Sequence, residues 1–160
     1  MIRKKDCIIA KIILLAWFFL DMVGLYFGEN YLVTRSWRED GIFFLIFFIL
    51  LSLFIFKERI GLYMLSTWLS LWLLSQFLSH ELFTIIGGGE GKIHYYKDSI
   101  KVVDSNMIYV PDLYHIVLHI LILIALVTTL YQRSFLFYIF LSQIYYLISF
   151  FKKYGLNNFS

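Results

Sequence analysis

Asp112, His115 and His119 recur at intervals of three and four residues along Asp112-Leu-Tyr-His-Ile-Val-Leu-His119. On a helix that spacing places all three side chains on one face. The His115–His119 interval is the one by which a single helix offers two imidazoles to one metal, as in HExxH zinc sites, although no glutamate stands between them here. A zinc or other divalent ion held by His115, His119 and a third ligand would keep one position for water. His80 leads the candidates for that third place, with Glu81, Asp112 and Asp21 behind it. Zinc would bring the pKa of its water to about 7, and a spare carboxylate from Glu81, Asp112 or Asp21 would act as general base. Without a metal, the same group of histidines and acids suits proton relay inside a membrane. Asp112 also has a plainer role: it follows Pro111 and is well suited to cap a helix.

The elements that must carry these residues are apolar. Five runs, about 7–27, 41–56, 60–79, 113–131 and 134–151, are each long enough to cross or nearly cross a bilayer. A hydrocarbon core about 30 Å thick needs about 20 residues of helix. Apolar residues make up 61% of the 160-residue chain and aromatics 21%, well above a soluble domain's share, which makes this an integral membrane protein. Lys57-Glu58-Arg59 and Gln132-Arg133-Ser134 are links so short that the runs they join must be antiparallel neighbours. The expected fold is therefore an all-α membrane domain spanning 1–160. It is an up-down bundle of five helices, or four if the last run does not span, with one long extracytoplasmic loop at 80–112.

Arg3, Lys4 and Lys5 favour a cytoplasmic N-terminus in the plasma membrane. The first run is too long for a cleaved signal and lacks a small-residue cleavage site. With five spans, Arg35, Arg38, Lys92, Lys97, Lys101, Lys152 and Lys153 lie outside. If the fifth run does not span, Lys152 and Lys153 move inside and the charge balance improves. The loop returns the chain to the surface it left, so His80 and Glu81 should lie at the depth of Asp112 and His115. His119 lies about 10 Å of helix rise below Asp112. Asp21 approaches the same mouth from the first run, where a carboxylate costs about 2.5–3.5 kcal/mol unless protonated, paired or wet. Lys11 is near enough to the cytoplasmic end of that run to snorkel to the headgroups.

Within the loop, Gly87-Gly88-Gly89 should break the helix, and 92–103 reads as a small β-hairpin over the mouth. The segment 81–86 either extends the third helix or lies along the surface. Ser66, Ser70, Ser75, Gln76 and Ser79 on the third helix point to helix packing more than to a substrate stripe. The second run has no polar face and should look at lipid. His94, in the polar loop, should face solvent.

Several classes fall away. The small scattered charge of +3 lacks the basic face that nucleic-acid binding needs. A lone cysteine, Cys7, excludes an internal disulfide and a cysteine zinc site. The glycine cluster lacks the GxxxxGK[ST] pattern of a phosphate loop. His115 and His119, on one helix, cannot both be axial to one haem. What remains is a non-catalytic membrane component (accessory, immunity or transporter subunit) or a metal-dependent hydrolase of lipid or membrane-embedded substrates. The bilayer, a lipid substrate or other membrane subunits are the expected partners.

Overall fold

The computed structural model describes residues 4–103, 105, 108–132 and 145. The expected fifth span, with Arg133, Lys152 and Lys153, lies outside the described residues apart from Tyr145. Within them the chain is mostly helical. Helix α1 (Lys4–Val23) leads into a two-stranded hairpin, β1 (Leu25–Phe27) and β2 (Asn30–Val33). Helices α2 (Trp37–Phe56) and α3 (Glu58–Gln76) follow, and α3 continues through a π-helical turn (Phe77–Glu81) into α4 (Leu82–Ile86). A short α5 (Glu90–Tyr95) crosses the loop before α6 (Leu113–Tyr131).

Three of these helical stretches, Trp37–Phe56, Glu58–Ile86 and Leu113–Tyr131, are long and apolar enough to cross a membrane. This is a membrane-associated helical protein. Helix α1 is as long as α2, but Asp6, Lys11 and Asp21 interrupt its apolar character.

The first run stops being helix four residues before its expected end. Gly24 takes a left-handed φ of 77°, and its N–H bonds the Leu20 carbonyl at 2.8 Å, closing the helix as a C-terminal glycine does. Gly28, at φ 63°, then turns β1 back along β2. The hairpin therefore sits between α1 and α2 and not at 92–103, where Glu90–Tyr95 is helical. The loop still reaches the sheet. Tyr31 N–H donates to the Asp98 carbonyl (3.1 Å) and Ile100 N–H to the Tyr31 carbonyl (2.9 Å), so the loop covers the hairpin edge.

α2 and α3 are joined through Lys57 alone, as the short link requires. A Cβ at Gly61 would collide with the backbone of Phe54, so glycine is what permits the two helices to touch here. α1 packs on α2 and α6, and α3 packs on α2 and α6, closing a four-helix ring. Leu65, Leu69, Ile122 and Leu126 are wholly buried along its centre. Lipid tails are as apolar as these side chains, so the ring is held by close packing and buried polar bonds more than by escape from water. α2 buries Phe47, Leu50, Leu51 and Phe54 and exposes Ile42, Leu45, Phe48 and Ile49, as a lipid-facing helix would.

The third helix runs past its expected end to Ile86, taking the extending course of the two foreseen for 81–86. Gly87 and Gly88, at φ 83° and 86°, end it. Ser66 and Ser75 donate to carbonyls of their own helix, Tyr63 (2.9 Å) and Trp72 (2.7 Å), so they are satisfied locally. Lys11 does not snorkel. It is wholly buried, bonds the Cys7 carbonyl at 3.0 Å and lies 5.1 Å over the Phe54 ring. The closed ring turns this face of α1 inward, and the ammonium takes an aromatic face and a carbonyl in place of headgroups.

Candidate functional site

The C-terminal ends of α1 and of the α3–α4 helix meet the N-terminal ends of α2 and α6 at one end of the bundle, here called the mouth. Pro111 and Asp112 begin α6 as their types suggest. The Asp112 carboxylate accepts from the His115 backbone N–H at 2.9 Å, an N-cap, and lies 2.8 Å from His115 Nδ1. One oxygen thus fixes both the helix start and the imidazole.

His80 reaches the same place through the π-helical turn. That wider turn carries an extra residue and offsets the face that follows it. His80 is buried, its ring stacked on His115 with centroids 4.4 Å apart and 5.6 Å from that of His119. Its Nδ1 lies 2.6 Å from the Tyr109 hydroxyl. Burial above all, reinforced by Tyr96, Asp112 and Glu81, pushes the Tyr109 phenol well above its ordinary pKa. A phenol held protonated can donate to that nitrogen. Thr84 donates to the Tyr109 carbonyl at 2.8 Å and pins the residue from the helix side.

His119, one turn deeper, hydrogen-bonds the Glu81 carboxylate through Nδ1. Its Nε2 lies 3.1 Å from Gln76 Oε1. Both ring nitrogens therefore meet oxygen. That suits an imidazolium, or a neutral ring with the Gln76 amide turned over. Lys92, from α5, donates to the Ser79 carbonyl and lies 4.9 Å over the Phe83 ring. Burial lowers the pKa of Lys92, with Glu81 opposing the shift. His94 is exposed and takes no part.

Across α6 from this cluster is a cavity of about 250 Å³ lined by Asp21, Asp40, Asp112, Tyr114 and His115 among others. The Asp21 and Asp40 carboxyl groups lie close enough to act on one another. The hairpin makes the pairing possible: Ser36 N–H donates to the Asp21 carbonyl at 2.9 Å, which brings the first turn of α2 against the last turn of α1. Tyr114 is fixed by Trp17, whose Nε1–H donates to its carbonyl at 3.2 Å and whose ring stacks on it at 5.7 Å. The Tyr114 hydroxyl is buried with no hydrogen-bond partner among the described residues. Burial, with Asp112 and Asp98 adding to it, raises the pKa of Tyr31 at the cavity's outer wall.

The expected site residues thus divide into two groups. His80, Glu81 and His119 meet on the α3 side of α6, and Asp21 stands on the α1 side. Asp112 and His115 belong to both. Among the described residues, no three His, Cys, Asp or Glu side chains converge as ligands of one metal ion. The stack of His80 on His115 sets those rings face to face, and His119 has both nitrogens engaged, so the zinc expectation gains no support from this geometry. Asp40, Tyr96, Tyr109 and Tyr114 were not foreseen. Asp40 carried the one available signal, an acid one residue ahead of an apolar run, at the same depth as Asp21. No family model matches this chain, and no curated protein or solved structure resembles it significantly.

Proposed function

We propose that this is a small polytopic protein of the plasma membrane, with a cytoplasmic N-terminus and α1 as a further span, whose extracytoplasmic mouth exchanges protons. It works as a non-catalytic component of a transporter or other coupled membrane assembly. The observation that carries this reading is the pair of carboxylate–imidazole bonds, Asp112–His115 and Glu81–His119, with the buried His80 ring against both imidazoles. Ionisable groups are expensive in a bilayer, and gathering them in mutual hydrogen bonds at one end is the usual arrangement of a proton pathway. Each imidazole can hold or release a proton while its carboxylate keeps the ring oriented. The stacked rings do not bond one another, so a proton passing between His115 and His80 goes by way of water at the ring edges.

Selective ¹⁵N labelling of histidine tests this in detergent-solubilised protein titrated from acid to alkaline pH. Expected is a joint change of the His115 and His119 ring signals, with Glu81→Gln altering His119. Ring signals of His115 and His119 that stay unchanged over the whole range would overturn the proposal.

A further inference from the structure

We infer that Tyr109 is a positioning residue that holds His80 in the tautomer opposite to that of its two neighbours, with the ring proton at Nε2 and Nδ1 taken by the phenol. The contrast begins with what faces each Nδ1. In His115 and His119 it is a carboxylate, Asp112 at 2.8 Å and Glu81 respectively. An ionised carboxylate only accepts, so both of these rings carry a proton at Nδ1. In His80 it is the Tyr109 hydroxyl, at 2.6 Å. A hydroxyl can give or take, and its other surroundings decide which. Among the described residues, His80 Nδ1 is the one hydrogen-bond partner of that hydroxyl. Tyr109 is 3% exposed, so a phenol proton turned away from His80 would be buried with no acceptor. Donation to Nδ1 satisfies it, and a neutral imidazole that accepts at one nitrogen carries its proton at the other. An imidazolium, with donors at both nitrogens, meets the same objection.

Tyr109 is itself fixed on three sides. Thr84 donates to its carbonyl at 2.8 Å. Gly89 lies so close that a Cβ there would come within 2.6 Å of the Tyr109 Cβ. The Lys92 ammonium stands 5.5 Å over the ring. Thr84 follows His80 by four residues on the same continuous helix, Glu58–Ile86, so one element anchors both the donor and the ring that it serves. The consequence for the mouth is a difference between its imidazoles. His115 and His119 take a second proton at Nε2. His80 takes one only at Nδ1, and only when the phenol lets go of that nitrogen. Tyr109 therefore decides when His80, stacked on His115, joins the exchange. That consequence rests on the proton-exchange reading; the tautomer does not.

The test reads the ¹⁵N shifts of the histidine rings at alkaline pH, in full-length protein solubilised in maltoside detergent. Signals absent from His80→Gln belong to His80, and those absent from His115→Ala belong to His115. Expected in the wild type is a His80 ring unprotonated at Nδ1 and protonated at Nε2, with His115 protonated at Nδ1. Tyr109→Phe keeps the aromatic ring and removes the donor. His80 should then become a mixture of both tautomers, its two nitrogen signals drawing together, which a loss of packing alone would not produce. Near-ultraviolet circular dichroism shows whether the variant folds; if it does not, the wild-type ring decides. A wild-type His80 that is protonated at Nδ1 or shares the tautomer of His115 overturns the inference, as does an unchanged tautomer in folded Tyr109→Phe. The two readings fail separately. Ring signals of His115 and His119 that never change with pH end the proton-exchange reading and leave the His80 tautomer standing. A wrong tautomer at His80 ends this inference and leaves the titration of the other two rings untouched.

Discussion

The two ends of the bundle handle polarity in opposite ways. Away from the mouth, most polar side chains end on a backbone carbonyl or on Glu58, while Trp68 Nε1 and Gln132 Oε1 are buried without a partner among the described residues. Lys11 bonds Cys7, the Cys7 thiol donates to the Thr128 carbonyl at 2.7 Å, and Thr129 donates to Ala125 at 2.6 Å. Lys4 and Gln132 both reach Glu58. At the mouth the polar side chains bond each other across elements: His119 with Glu81 and Gln76, and His80 with Tyr109. There, among the described residues, the Tyr114 hydroxyl and Glu81 Oε2 are left over. A bond to a backbone carbonyl ties a side chain to the fold alone, whereas side chains bonded to each other form a network in which a change at one member reaches the next.

If the closed end is structural, its largest sensitivity is steric. Gly61→Leu should be the most damaging single change, because the new side chain meets the Phe54 backbone, which cannot yield without separating α2 from α3. Overpacking of this kind costs about 3 kcal/mol. The expected outcome is loss of a monodisperse peak in detergent gel filtration. A Gly61→Leu protein as stable as wild type would mean that the two helices do not touch here.

Asp112 marks the other end, where one carboxylate serves structure and site together. Asp112→Ala removes the N-cap of α6 and the partner of His115, and should lower stability by about 1–2 kcal/mol. Asp112→Asn keeps an acceptor for the His115 N–H and should recover most of that loss, while still disturbing the His115 ring signal. Thermal unfolding separates the two roles. Equal damage from both variants would show that the charge, and not the cap, holds the mouth together.

How much of this was readable beforehand follows from how local each feature is. The α6 limits and the Asp112 cap were legible because an apolar run flanked by Pro-Asp carries its own start signal. The α2–α3 turn was legible because a link no longer than Lys57-Glu58-Arg59 leaves no alternative. The hairpin was misplaced because β-forming residues such as Ile93 and Tyr95 are overridden by context. There, α5 is held by Lys92 on the Ser79 carbonyl and by Gly89 tight against Tyr109 and Phe83. Asp40 was invisible as a partner of Asp21, since their meeting depends on the left-handed backbone at Gly24 and Gly28. The π-helical turn that turns His80 inward leaves no trace in residue spacing.

Lys11→Met sharpens the same contrast with a smaller effect. The ammonium is wholly buried with one carbonyl and one ring as company, and removing a buried charge for an apolar side chain of similar volume is often neutral or stabilising, here by about 1 kcal/mol. A slightly raised unfolding temperature with an unchanged His115–His119 titration is expected. A variant that folds but loses that titration would extend the proton path through the closed end.

The smallest expected effect is none. Detergent-purified wild type and the His115→Ala/His119→Ala variant should carry the same trace metal content, well below one ion per chain. The stacked His80 and His115 rings and the doubly bonded His119 would all have to turn before three nitrogens could face one ion. Near-stoichiometric zinc in wild type, lost from a still-folded variant, would mean that they do turn. The mouth would then be read as a metal-dependent hydrolase site opening on the lipid surface, with Glu81 and Asp112 released from their imidazoles to serve as bases.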